Sequence, residues 1–177
     1  SWSPADVFVR ALYSRIFFQI TLANEFIRES APAKLAERNL SGADATEIGY
    51  MRAEARFLRA LSYYHALDLF GNVPFVTEGD NVGAFLPTQI SRANLFTYVE
   101  DELKAIETEL KDARSNEYGR ADKAAAWALL SRLYLNAEVY TGTPKYGDCI
   151  TYCNKVTAVT GYALATNYRN LFLADNN

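Results

Sequence analysis

The 177-residue sequence contains few of the side chains on which most metal centres and disulfide-linked folds depend. It has one histidine, His65, and two cysteines, Cys149 and Cys153. A structural zinc site takes about four ligands, usually with C-x2-C or H-x3-H spacing, and neither spacing occurs here. Two cysteines do not make a disulfide framework, and they do not identify the redox compartment. We therefore predict no metal site and no cofactor.

The sequence also lacks long apolar runs and a surplus of either charge. No stretch reaches the roughly 18 apolar residues of a membrane-spanning helix, and no signal peptide is visible. Eighteen basic residues face 21 acidic ones, for a net charge of −3. That balance gives no electrostatic footprint for nucleic acid. The chain opens at Ser1-Trp2 without a methionine, which indicates a processed or truncated start.

Catalytic patterns are equally scarce in the sequence. No Gly-rich phosphate loop lies between a predicted strand and a helix. The carboxylates between Asp101 and Glu109 alternate with lysine and apolar residues, as on a solvated helix face. Cys149 as a nucleophile would need His65 as its base, and nothing else in the sequence supports that pair. We predict no catalytic residue and no enzymatic activity.

Aromatic residues are abundant, with 12 Tyr, 10 Phe and two Trp. Aromatic side chains either fill a core or provide flat platforms for ligands. Most of the tyrosines recur at helical spacing, which favours the core.

Apolar residues recur every three to four positions over most of the chain, which predicts helices. In the first helix, Ser3 is predicted to act as the N-cap with Asp6 three residues later. The stretch 33–43 contains Gly, Ser and Asn near its end and is predicted to be a connection. A second helix is predicted from about Asp44 to Gly71, where glycine suits the left-handed stop.

The second half of the sequence continues the helical pattern. Residues 72–90 are predicted to be a loop, because they contain several Gly and Pro residues. Three more helices are predicted to begin near Ser91, after Gly119 and after Thr143, and a short helical turn lies around Tyr168–Phe172. Five helices without a convincing strand period predict an all-α fold.

The predicted fourth and fifth helices follow the spacing of a tetratricopeptide repeat. The W-x2-L-G-x2-Y positions are occupied by Trp127, Leu130, Ser131 and Tyr134. The A-x3-F-x2-A positions are occupied by Cys149, Cys153 and Val156. These positions face the partner helix of a repeat, so Trp127 and both cysteines are predicted to pack in the core. The predicted architecture is tetratricopeptide-like helical hairpins, which usually scaffold binding rather than chemistry.

A cluster of charged residues lies toward the start of the predicted second helix. It consists of Arg52, Glu54, Arg56 and Arg59. One interpretation is an ion-pair network that holds this helix to its neighbours. The other is a group that faces a ligand.

Three motifs, in order along the chain, carry a family resemblance. They are EARFLRA at 54–60 with LFGNVP at 69–74, GRADKAAAWALLSRLYL at 119–135, and the GY, NY and LF pairs between 161 and 172. The sequence resembles the SusD/RagB family over nearly its whole length. The resemblance implies a SusD-like helical core.

The resemblance also implies a function and a location. Members of this family are lipoproteins on the outer face of the outer membrane that capture glycans, or in some cases peptides. They cap a TonB-dependent transporter of the SusC type and pass the ligand to it. The lipidated N-terminal cysteine and the variable C-terminal half of the family are absent here. We therefore expect residues 1–177 to be a truncated core, with a lipid anchor outside this chain.

Trp2 is the predicted ligand-binding residue. Family ligands are held mainly by aromatic residues on loops, and Trp2 precedes the first helix in a loop-like position. A sugar ring needs a flat apolar surface together with planar polar groups. The alternative is that Trp2 only packs against the first helix. A second class of function also stays open, namely a protein-interaction scaffold or a peptide-binding member of the same family.

Overall fold

Helices make up most of the regular structure in the computed structural model, which describes residue 3, residues 5–83 and residues 85–173. Within these residues there are seven α-helices: α1 (Val7–Glu29), α2 (Pro32–Glu37), α3 (Gly42–Phe70), α4 (Arg92–Ile106), α5 (Lys123–Leu135), α6 (Ala137–Thr141) and α7 (Tyr146–Thr157). Two-residue strands, β1 (Val73–Pro74) and β2 (Gln89–Ile90), lie between α3 and α4. A 3₁₀ turn spans Tyr168–Phe172, as predicted. The predicted all-α fold is confirmed.

Side-chain contacts fix the direction of the first helical pair. Arg59, just past the middle of α3, donates to the side chain of Asn24 in α1. Arg52, earlier in α3, donates to the carbonyl of Ile27, which is later in α1. The two helices therefore run antiparallel, as a helical hairpin requires.

The second hairpin is built in the same way from α5 and α7. Trp127, early in α5, lies under the ammonium group of Lys155, late in α7, at 5.6 Å. Tyr134, late in α5, packs against Tyr152, in the middle of α7, with ring centroids 5.6 Å apart. The α4 helix lies between the two hairpins and packs on α3 and α5. This arrangement agrees with the predicted tetratricopeptide-like hairpins.

The first helix starts differently from the prediction. Asp6, not Ser3, is the N-cap, and its carboxylate accepts hydrogen bonds from the N–H groups of Phe8 at 2.9 Å and Val9 at 3.3 Å. The carbonyl of Ser3 accepts from the N–H of Asp6 at 3.0 Å, which forms a turn before the helix. Either residue type is a good cap. The predicted position of the helix start is therefore close to the observed one, but the predicted cap, Ser3, is wrong.

The predicted connection at 33–43 contains a short helix, α2, so that prediction is wrong in part. Pro32 is at the start of α2, where a residue without an N–H loses no hydrogen bond. Leu35 is buried and fixes the helix to the core. A proline cannot continue the first helix, but it can start the next one.

The third helix ends where the sequence predicts. Gly71 has a φ of 74°, a conformation that glycine adopts readily. A Cβ atom at this position would also lie 3.0 Å from Nε of Arg92. The predicted loop 72–90 then contains the antiparallel β1–β2 pair, with Val73 opposite Ile90. Two residues per strand are too few for the alternation that identifies a strand in sequence.

The core is formed mainly by α3, α4 and α5. Its largest fully buried side chains include Tyr63, Phe96, Leu103, Leu130 and Tyr134. Burial of one large apolar side chain stabilises a fold by about 1.5–3 kcal/mol. Five tyrosines lie in this core, as their helical spacing predicts: Tyr63, Tyr64, Tyr134, Tyr140 and Tyr152. Over the described stretches of chain, none of the helices combines the length and apolarity needed to cross a bilayer.

The inward face of α7 differs from the prediction at one cysteine. Cys149 is partly buried and packs against the core, but Cys153 is exposed. The buried residue of this helix is Tyr152. Positions 149, 152 and 156 are three and four residues apart and share a face, whereas 153 lies at its edge. The predicted core packing is therefore confirmed for Cys149 and wrong for Cys153.

Candidate functional site

The charged cluster of α3 lies where three segments meet. The Arg59 side chain is only 3% exposed. It donates to Oδ1 of Asn24 in α1 at 2.8 Å and to Oε1 of Glu102 in α4 at 3.0 Å. It also pairs with the carboxylate of Glu78, in the segment after β1. One buried guanidinium thus joins α1, α4 and the β1–β2 connection.

Arg56 and Glu54 extend this network along α3. Arg56 pairs with Glu102 and with Glu109, both at 2.7 Å. Burial alone would lower the pKa of Arg56, but these two carboxylates raise it well above its ordinary value. Glu54 accepts from Arg120 at 2.8 Å. Each pair joins α3 to another segment, as the ion-pair interpretation of the cluster requires.

The segment after β1 is fixed by hydrogen bonds to α1 and α3. The hydroxyl of Tyr63 donates to the carbonyl of Val76 and accepts from its N–H, both at 2.8 Å. Burial raises the pKa of Tyr63 to about 12. Asn24 donates to the same carbonyl at 3.1 Å, and Arg28 donates to the carbonyl of Glu78 at 3.1 Å. These bonds hold the β1–β2 connection against α1.

A groove of about 740 Å³ opens between the start of α1 and the end of α3. The side chains along it are Ser3, Val9, Arg10, Leu12, Tyr13, Ser14, Leu69 and Phe70. The ring of Tyr13 packs edge-on against Phe70, with centroids 5.2 Å apart. An apolar, aromatic lining with one guanidinium and several hydroxyls suits a ring-shaped ligand that has both apolar and polar faces. We refer to this feature as the α1–α3 groove.

Trp2, the predicted ligand-binding residue, lies outside the described residues. Ser3, which follows it in the sequence, lines the α1–α3 groove. The predicted residue is therefore adjacent in sequence to a residue of the groove. Tyr13 and Arg10, in contrast, were missed. Tyr13 lies three residues before Ile16 and continues the buried stripe of α1 toward its start. That periodicity is the signal that would have identified it.

The other residues considered from sequence have structural surroundings. His65 is half-buried, and its ring packs against that of Tyr64 with centroids 5.5 Å apart. Burial raises the pKa of the Cys149 thiol, and its neighbour Cys153 adds to that rise. In the part of the chain that the structure describes, no group of three or more His, Cys, Asp or Glu side chains is arranged to hold a metal ion.

Comparison with protein families identifies a match over most of the chain. The profile of a SusD-like family, described as starch-binding and associating with the outer membrane, matches residues 2–135. Among individual relatives, the starch-binding protein SusD of Bacteroides thetaiotaomicron is 42% identical over 176 residues. That alignment covers 99% of this chain and 29% of the relative. The chain therefore spans less than a third of the length of this relative.

Solved structures have the same fold. A SusD superfamily protein from Parabacteroides distasonis superposes with a TM-score of 0.78 and 25% identity, over 96% of this chain and 35% of that one. A laminarin-binding SusD-like protein superposes with a TM-score of 0.72 and 26% identity, over 92% of this chain and 34% of that one. Together with the family match over residues 2–135, these comparisons show that the chain belongs to the SusD-like family.

Proposed function

We propose that this chain captures oligosaccharide as part of a nutrient-uptake complex on the outer face of the outer membrane. The observation that carries the proposal is 42% identity to a starch-binding protein over 99% of this chain. The family description, starch-binding and associating with the outer membrane, supports both the ligand class and the location. Starch-derived oligosaccharides are therefore the first ligands to test.

The α1–α3 groove is the proposed place of capture, and Trp2 directly precedes its lining residue Ser3 in the sequence. The rings of Tyr13 and Phe70 give the groove an aromatic wall. Arg10 forms no ion pair with any described residue, so its guanidinium is available for sugar hydroxyls. Trp2 would add a second flat surface on which a sugar ring stacks.

The proposed role is binding without cleavage of the glycan. Glycoside hydrolysis needs two carboxyl groups that face each other across the substrate. Around α4, Glu100, Glu102 and Glu107 are each held in ion pairs with lysine or arginine. For Glu107, burial raises the pKa, but Lys155 together with the hydrogen bonds of Trp127 and Tyr152 brings the pKa below its ordinary value. A carboxyl group whose pKa is lowered in this way is a poor proton donor for a leaving sugar.

Isothermal titration calorimetry with maltoheptaose tests the function and the site together. We expect saturable binding by the wild-type chain and a roughly tenfold loss of affinity for Trp2→Ala. Tyr118→Ala is the matched control, because Tyr118 is an exposed aromatic residue in the α4–α5 connection, outside the α1–α3 groove. Equal affinity of the two variants would exclude Trp2 from the site and leave glycan binding intact. No heat of binding by the wild-type chain would refute the function proposed for it.

We also propose that the intact protein passes the captured glycan to a TonB-dependent transporter of the SusC type. This transfer is supported by the family's association with the outer membrane. A lipid anchor outside this chain would attach the intact protein there. Co-purification of the intact protein with such a transporter from outer-membrane extracts is the expected result. Its absence would restrict the role to glycan capture.

The second candidate function is a protein-interaction scaffold, or a peptide-binding member of the same family. The observation that favours it is a row of exposed apolar side chains along α1. They include Phe8, Phe18, Leu22 and Phe26. Exposed apolar patches commonly mark surfaces that bind proteins. Calorimetry with peptides in place of maltoheptaose separates this candidate from glycan capture.

A further inference from the structure

A second, smaller cleft lies between the middle of α1 and the connection from β1 to β2. It encloses about 300 Å³, at the lower end of the roughly 300–1,000 Å³ typical of small-molecule sites. Its floor is Asn24, which is only 4% exposed. The side chain of Asn24 is immobilised between Arg59 and the carbonyl of Val76. A cleft of this size, with a fixed floor, suits one sugar ring rather than a long chain.

The charges around the cleft are held in place. The guanidinium of Arg28 pairs with Glu25 and donates to the carbonyls of Glu78 at 3.1 Å and Asp80 at 3.4 Å. The carboxylate of Asp80 accepts from the backbone N–H of Thr77 at 2.7 Å. The lining of the cleft thus contains two carboxylates, Glu25 and Asp80, and one guanidinium, which gives it one net negative charge.

Two side chains at the cleft are available to a ligand. Asn81 lines it, and the side-chain amide of Asn81 makes no hydrogen bond with the described part of the chain. The ring of Phe85 also lines the cleft and is 43% exposed. A planar amide and an aromatic ring in one cleft are the combination that holds a sugar, because the ring contacts the C–H face and the amide binds the hydroxyls.

We propose that this cleft is a second subsite, which binds one neutral sugar residue between Phe85 and Asn81 and excludes sugars that carry a carboxylate. The proposal rests on the proposed glycan-binding function and adds the class of glycan. The net negative charge provides the discrimination, because a uronate would bring a third carboxylate beside Glu25 and Asp80. Like charges placed together at a binding site act against the wrong ligand.

Calorimetric titration of the same 177-residue chain with maltoheptaose and with an oligogalacturonide of equal length tests the subsite. We expect the neutral oligosaccharide to bind at least roughly tenfold more tightly than the anionic one. Phe85→Ala and Asn81→Ala should each weaken maltoheptaose binding by roughly five- to tenfold. Leu86→Ala is the matched control, because Leu86 is a neighbouring, fully solvated apolar residue that does not line the cleft.

A second pair of variants tests the charge. Glu25→Gln removes one carboxylate of the cleft. It should lower the ratio of the affinities for the neutral and the anionic oligosaccharide by roughly fivefold. Glu29→Gln is its control, because Glu29 is on the same helix and pairs with Arg38 outside the cleft. Both charge variants keep every apolar contact of the cleft.

Three outcomes separate the two proposals. Weaker binding by Phe85→Ala and Asn81→Ala, with Leu86→Ala unchanged, supports the subsite. Tight maltoheptaose binding that none of the three variants alters overturns the subsite and leaves the glycan-binding function standing. No binding of either oligosaccharide by the wild-type chain overturns both.

Discussion

Replacing Arg59 with methionine removes a charge from the point where α1, α4 and the β1–β2 connection meet. Methionine keeps the apolar stem but none of the hydrogen bonds to Asn24, Glu78 and Glu102. Loss of one partner from a buried ion pair costs about 3–5 kcal/mol. In this variant Glu102 still has its ion pair with Arg56. The Glu78 side chain is 33% exposed, so hydrogen bonds to water compensate part of its loss.

We therefore expect Arg59→Met to lower the free energy of unfolding by about 3 kcal/mol, at the lower end of that range. For a chain of this length the melting temperature should fall by roughly 6–12 °C. Urea unfolding followed by circular dichroism measures the change. Arg56→Met is the control and should cost only about 1 kcal/mol, because its partner Glu109 is 44% exposed and Glu102 keeps Arg59.

The pH dependence of the stability difference between wild type and Arg59→Met gives a second readout. Burial raises the pKa of Glu78, but the hydrogen bond and charge of Arg59, together with a backbone hydrogen bond and the charge of Arg52, bring it below the ordinary value of 4.5. A lowered pKa in the folded state contributes stability above the pKa of the unfolded chain, and this stability is lost as the pH falls through the folded value. The gap between wild type and Arg59→Met should therefore shrink below about pH 4. A cost under about 1 kcal/mol, or a gap that stays constant with pH, would refute the reasoning.

Three further predictions concern separate features. Gly71→Ala should destabilise the fold by about 1–2 kcal/mol in urea unfolding, because Gly71 has a positive φ and its Cβ would lie against the Arg92 side chain. Gly49→Ala is the control and should stabilise the fold by about 1 kcal/mol, because a Cβ at this position in α3 meets open space. Tyr63→Phe should cost about 1–3 kcal/mol, because a backbone N–H and a carbonyl lose their shared partner; an unchanged melting temperature would contradict this. Cys153 should react with a thiol reagent before the partly buried Cys149, which peptide mapping after brief labelling can detect.

Much of the fold was predictable because helix periodicity and stop signals are local properties of the sequence. Gly71 ends α3, Ser91 caps α4, and the 3₁₀ turn lies at Tyr168–Phe172, as predicted. The errors occurred where two local signals competed. Pro32 can end one helix or start the next, and only the burial of Leu35 decides between them.

The candidate site was less predictable because its partners are distant in sequence. The sequence shows that Arg59 belongs to a charged cluster, but not that Glu102 lies 43 residues away at hydrogen-bond distance. The exposure of Cys153 was not predictable for the same reason. Periodicity shows which residues share a face of the helix, but not which part of that face packs against another helix. The place of capture proposed from Trp2 stays a prediction.

The hydroxyl of Tyr63, which serves as both donor and acceptor to Val76, has a consequence for the thermodynamics of binding. Ordering one residue of a free loop costs about 1–2 kcal/mol in backbone entropy. The segment around Val76 is ordered by Tyr63 and Asn24 within the folded chain itself, so this cost belongs to folding and not to association. A ligand that contacts this segment meets a preorganised surface, and its affinity reflects the contacts it makes rather than the ordering of the loop.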